Sequence, residues 1–339
     1  MTTPTDDRSL LEDAIDIPLW LEADRDTPLA ERADRDRGIA RELAGAEDLP
    51  RVRAWWSRLR PADALGVKLV HGRRLVSVAL VAIGVVAGSG FAAAALRYDG
   101  TTPVNILRAL ALLAGVQLVV LALTLLLLPG GRYGLGAIQR SLVAFNPAAM
   151  VAAVYRRFAA LPTPVERLFA WHAGRSAASR FAKWQLLFWA QLTAVAFNAG
   201  VLATSFALVA ITDLAFGWST TLNLDPRDVA ALTKAIAAPW AAWLPAAVPS
   251  DALIEGSRFF RLEHAAGPPR IAEAFTGWWP FLLASIVTYG LVPRLVIGTL
   301  ALAKLRSATR SMLLEDARVT ALLDRMRSPS LQLHAEGRR

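Results

Sequence analysis

Leu75 to Leu96 reads LVSVALVAIGVVAGSGFAAAAL, 22 residues without a charge. At about 1.5 Å of rise per residue, a helix of that length reaches roughly 33 Å and crosses the hydrocarbon of a bilayer. Backbone N–H and C=O groups find no water there, so such a segment must satisfy them within its own helix. Three more uncharged or nearly uncharged runs follow, and together they restrict the chain to one architecture. The expected fold class is all-α: a polytopic helical membrane protein with four transmembrane helices, over about 75–96, 109–128, 184–212 and 281–303. A composition of 55% hydrophobic and 19% charged residues agrees, because that charge content is low for a soluble domain. The third run is longer than a bilayer requires, which calls for tilt or projection beyond it.

Charge sets the expected orientation. Residues 1–50 hold 14 of the 28 carboxylates against 6 arginines, whereas the remainder is strongly basic. Those basic residues cluster beside the apolar runs: Lys68, Arg73 and Arg74 precede the first, and in residues 130–183 Glu166 is the one acid. The positive-inside bias puts these stretches in the cytoplasm, and it accounts for the basic charge better than nucleic-acid binding does. Residues 1–60 are then an acidic, cytoplasmic, helical and partly disordered region. Residues 61–303 form the membrane domain, with a cytoplasmic loop at 129–183 and an extracytoplasmic helical segment at 213–279. Residues 304–339 are a cytoplasmic amphipathic helix and tail. Both termini lie inside, and the expected localisation is a bacterial inner membrane.

Local signals refine this outline. Pro18 is expected to stop a first short helix, and Trp55 and Trp56, among arginines, suit the headgroup zone. Gly84 and Gly88 stand four apart in the first run, a spacing that lets another helix approach closely. Within 141–154 an apolar segment is too short to span, and either packs in the cytoplasm or lies on the membrane. Asp225 as N-cap, Pro226 and Asp228 open one helix, and Ser250 opens another. Between them PWAAWLPAAVP, with three prolines, is a re-entrant or interfacial element, or less simply a span. Trp278 and Trp279 anchor the start of the last run.

That last run contains Pro293 and Arg294. With the span at 281–303, Arg294 is near mid-depth, where an arginine costs about 2.5–3.5 kcal/mol on insertion scales and must face protein or water. With the span at 274–293, the arginine marks the cytoplasmic edge instead. In the first register Gln117, Gln191 and Asn198 reach similar depth and form a candidate polar layer around Arg294, and Pro293 is a candidate hinge, since proline frees the carbonyl of Tyr289. No carboxylate occurs in the four runs, so a pathway here would suit an anion. The alternative is that the amides and the arginine only join helices.

Nothing nominates an enzyme, a cofactor or a metal site. There is no cysteine, His71, His172, His264 and His334 share no ligand spacing, and no phosphate-binding or nucleophile-elbow motif occurs.

The segment TDLAFGWSTTLNLDPRDVAALTKAIAAPWAAWLPAAVPSDALIEGSRFFRLE (Thr212–Glu263), with LRPADALGVKLVHGRR and FNPAAM upstream, resembles an uncharacterised family of proteobacterial inner-membrane proteins. That family is a domain of unknown function whose genes often stand beside one for an Era-like GTPase. The resemblance implies a membrane partner for a cytoplasmic nucleotide-binding protein and assigns no functional residue. The expected function is a non-enzymatic membrane docking platform for a cytoplasmic partner of the GTPase type. The alternative is an oligomeric channel or transporter with an anion pathway past Arg294. The bilayer is the other expected partner, a homo-oligomer is compatible with either reading, and nucleic acid is not expected.

Overall fold

The computed structural model describes residues 7–43, 45–61, 66–126, 176–222, 224–259 and 275–327. Most of these are helical, and four helices are long and apolar enough to cross a membrane: Gly66–Ala95, Ile106–Leu125, Arg180–Ile211 and Trp279–Leu314. Most of the exposed large aliphatic side chains, such as Ile83, Val86, Val119, Val120 and Leu300, lie on these four helices. The expectations for residues 129–175 and 328–339 lie outside the described residues. The chain divides into two compact units, one comprising 1–76, 140–186 and 301–339, the other 77–139 and 187–300.

In the first unit the helices Asp7–Ala23, Leu29–Arg41 and Asp48–Leu59 pack with Ala317–Arg327. The first of them continues through Pro18, contrary to the expected stop. Ile15, Ile17 and Leu21 are buried on either side of the proline, and that packing holds the helix together across the missing hydrogen bond. Trp55 and Trp56 are not headgroup anchors either. Both are buried, and with Trp20 they form an aromatic cluster at centroid distances of 5.4, 6.1 and 6.4 Å.

Charge pairs join the helices around this apolar core. Asp36 is 0% exposed and accepts from Trp55 Nε1 at 3.0 Å and Arg325 Nε at 2.9 Å, with Arg35 at 3.1 Å. One carboxylate thus ties three helices, the last of them nearly 300 residues away. Asp13 meets Arg53 at 2.8 Å, and Arg318 grips Asp316 through two hydrogen bonds of 2.9 and 2.8 Å. The two terminal segments, set apart in the sequence reading, therefore belong to one unit. The expected C-terminal amphipathic helix is broken at Glu315 and Asp316, between Leu314 and Ala317.

In the second unit, Val104–Asn105 and Phe216–Gly217 pair as two short parallel strands. Beyond them, Pro226–Ala237 begins with the expected Asp225 cap, completed as a capping box by Asp228, and Ser250 caps Asp251–Gly256. The proline-rich stretch folds into turns and a short 3-10 segment, Pro245–Ala247, in which Trp240 is buried and Trp243 exposed. The indoles of Trp218, Trp240 and Trp278 each donate to a buried partner, Ile254 O, Ala247 O and Ser257 Oγ. Trp278 is therefore a core residue, and Trp279 alone of the expected anchor pair is exposed.

Asp16 gives the first unit a pH dependence. It is 5% exposed, its Oδ1 accepts from Gly66 N–H at 2.7 Å, and its Oδ2 is buried without a partner. Burial pushes its carboxyl up to about 6, against the lowering effect of the Gly66 hydrogen bond. The folded state then binds the proton more tightly than the unfolded chain, so this contribution is complete below the ordinary value of 3.8 and is lost as pH rises through 6. At about 1.4 kcal/mol per pKa unit the loss amounts to roughly 2–3 kcal/mol. Asp16→Asn, which keeps the acceptor, should flatten the fall in the stability of this unit between those pH values, measured by denaturant unfolding. The slope that Asp13 contributes, also raised by burial, should remain.

Candidate functional site

Arg294 is 2% exposed within the second unit. Its Nη2 donates to the backbone carbonyl of Gln117 at 3.2 Å. The side chain of Gln117 turns the other way, to Asn198. Its Nε2 donates to Asn198 Oδ1 at 3.1 Å, and Asn198 Nδ2 returns a bond to Gln117 Oε1 at 3.3 Å and bonds Ala194 O at 2.8 Å. The second, third and fourth apolar helices are thereby linked through three of the four predicted polar residues. Among the described residues no carboxylate pairs with Arg294.

Gln191 stands apart from this group. It lies seven residues before Asn198, roughly 10 Å along the helix, and its Oε1 is buried without a partner. Its Cβ borders Gly298, one turn beyond Arg294.

Backbone irregularity on two helices makes room for the amides. Ala111–Gly115 and Ile286–Leu291 are π turns that pack against each other. In the second, the Val292 N–H reaches back five residues to Val287 O. The carbonyl that Pro293 leaves without its usual donor, that of Tyr289, falls inside this π turn, and the helix continues through Pro293 to Leu314. The Tyr289 hydroxyl donates to Ile236 O at 2.8 Å, fixing the turn from outside. Gly290 matters as much: a Cβ there would stand 2.3 Å from Asn198 Oδ1. It was not singled out in the sequence, although its place four residues before Arg294 puts both on one helical face.

Gly84 and Gly88 meet the third helix. A Cβ on Gly84 would lie 2.6 Å from Thr193 O, and one on Gly88 2.0 Å from Phe197 O. Gly200, also not singled out, completes the contact from the opposite side, 2.3 Å from Val85 O by the same measure. Nearby, Trp189 Nε1 donates to Ser77 Oγ at 3.1 Å.

The arrangement joins helices by polar groups directed at one another. A cavity of about 550 Å³ in the same unit lies elsewhere, lined by Arg97, Asp99, Thr102, Asn105, Arg108 and Ser219 among others, and none of the four predicted polar residues borders it. Among the described residues no group of histidines and carboxylates could hold a metal ion. Asp251, at the start of the helix that Ser250 caps, is engaged with Lys234 at 2.9 Å.

Residues 143–338 match the model of a family described as Protein of unknown function (DUF2868). No curated protein and no solved structure matches the chain.

The glycine contacts predict a matched pair of outcomes. Gly88→Ala must push the first and third helices apart and should destabilise the protein by about 1–3 kcal/mol. Gly90→Ala, where a Cβ meets nothing within 4 Å, should leave stability unchanged or raise it slightly. Thermal unfolding in detergent, at equal helicity before heating, distinguishes the two.

Proposed function

We propose, for a chain that belongs to the DUF2868 family, a non-enzymatic role as an integral inner-membrane protein that presents its first unit as a docking domain to a cytoplasmic partner. The observation that carries this reading is that helices from both ends of the chain build one separately cored unit. Buried carboxylate–guanidinium pairs hold it together, a construction suited to a rigid surface. The polar groups of the second unit support it in a different way. Gln117 and Asn198 satisfy each other, as helix-joining residues do, whereas a conduction pathway needs them turned to water. The basic flanks of the apolar helices support placing the first unit in the cytoplasm. The family resemblance supports a GTPase-type protein as the partner, which would supply any nucleotide chemistry.

A photo-crosslinking residue at Leu29, an apolar side chain 64% exposed on the first unit, tests the proposal in growing cells. A soluble nucleotide-binding protein should be captured there, and not from Leu222 on the second unit. Capture of no soluble protein from Leu29 or from other exposed positions of Leu29–Arg41 and Ala317–Arg327 would sink the idea.

One observation favours the second reading, an oligomeric anion pathway: Arg294 is almost fully buried, and no acid among the described residues neutralises it. On that reading, proteoliposomes conduct anions and Arg294→Gln, inserted to the same extent, removes the flux or its selectivity. On the docking reading neither protein conducts.

A further inference from the structure

Four arginines converge on one small cleft in the first unit. Its cavity of about 140 Å³ is lined by Leu21, Arg25, Arg32, Arg318 and Arg325, with Ala317 and Ala321. The convergence is unexpected on charge grounds, because residues 1–50 carry more than twice as many acids as arginines.

The acids nearby are already engaged. Asp36 holds Arg325 and Arg35, Asp316 holds Arg318, and Glu22 bridges Arg25 at 2.9 Å and Arg318 at 3.3 Å. Asp24, within electrostatic reach of Arg32, is gripped by Arg35 at 3.0 and 2.7 Å. That leaves Arg32 as the surplus cation. Among the described residues its guanidinium makes no hydrogen bond or ion pair, and its Nε is buried with no partner at all. A buried donor on a charged group is costly to leave unsatisfied, so something outside the described chain is expected to accept from it. Arg325 contributes as well, since it uses only Nε on Asp36 and keeps its terminal nitrogens for the cleft.

We propose that this cleft is a binding site for a phosphate-type oxyanion, taken either as inorganic phosphate or as the phosphoryl group of a small ligand. Planar guanidinium forks match tetrahedral oxyanions through paired, charge-assisted hydrogen bonds. The cleft is small, of a size to take one phosphoryl group. Arg318 is buried in its wall, while Ala317, Ala321 and Arg25 are exposed and form its mouth, so the rest of a monoester can extend into solvent. Binding there would brace the Leu29–Arg41 helix against Ala317–Arg327, the two elements that carry Arg32 and Arg325. The inference stands whether or not the docking role does.

Equilibrium dialysis of the full chain in detergent against labelled inorganic phosphate, at constant ionic strength, tests this. One saturable site per chain is expected, weakened at least about tenfold by Arg32→Gln, the loss expected when a charge-assisted bond is removed. Ala321→Phe, which fills the mouth and keeps all four arginines, should weaken it likewise. Arg37→Gln, a surface residue paired with Asp34, should not. Displacement by phenyl phosphate identifies the phosphoryl group of a larger ligand as an occupant; failure to displace identifies inorganic phosphate alone. Absence of saturable binding up to about 10 mM phosphate, or binding that both cleft variants retain, overturns the proposal.

Discussion

Where the first and third apolar helices cross, backbone rests on backbone. The hydrogen-bearing faces of Gly84, Gly88 and Gly200 stand where any side chain would collide with a carbonyl of the other helix. Lipid tails are as apolar as leucine, so burying leucines gives little drive for two such helices to associate. Close van der Waals contact and interhelical hydrogen bonds supply it instead. The amide layer depends on this approach. Asn198 lies between Phe197 and Gly200, on the segment that the glycines hold, and from there it reaches Gln117 and the space left by Gly290. The two π turns belong to the same accommodation. They widen the second and fourth helices where three chains of backbone and two amides must share the interior.

The first unit meets a different constraint, carboxylates drawn into its interior. The carboxylates at the start of the chain could simply face water, yet Asp13, Asp16 and Asp36 are buried, as is Asp316 near the other end. Each except Asp16 is matched to a guanidinium. Such pairs contribute little net stability when compared with apolar replacements, but breaking one leaves a buried charge unpaired. An arrangement of helices that separates the partners therefore carries that penalty. Acids of the N-terminal region and arginines far along the chain, Arg318 and Arg325, thus belong to one charge pattern.

Much of this was legible in the sequence, and the parts that were not have specific causes. The four apolar helices, the Asp225 and Ser250 caps and the close approach at Gly84 and Gly88 follow from length, local chemistry and spacing, which act over a few residues. The meeting of Arg294, Gln117 and Asn198 followed from depth along each helix. Depth alone could not exclude Gln191, because rotation about the helix axis decides which amide faces inward, and uniformly apolar helices carry no periodic signal for it. Trp55 and Trp56 misled for a related reason. An indole beside arginines looks the same in sequence whether it sits at a headgroup or, as Trp55 does, in a core where it donates to Asp36. Pro18 shows tertiary packing overriding a local rule. The pairing of Asp36 with Arg325 has no local trace at all, since its two members lie at opposite ends of the chain.

That last pairing sets an order of events during synthesis. Domains commonly fold as their N-terminal parts leave the ribosome. Here Asp36 emerges early, while Arg325 is made only after all four apolar helices have been translated. Until then the first three helices hold a buried carboxylate that lacks one of its guanidiniums, and an apolar face with no fourth helix to cover it. Completion of the first unit therefore reports that the last apolar helix has been made. A chain truncated before Ala317 would carry an open, incomplete version of that unit, its apolar face uncovered.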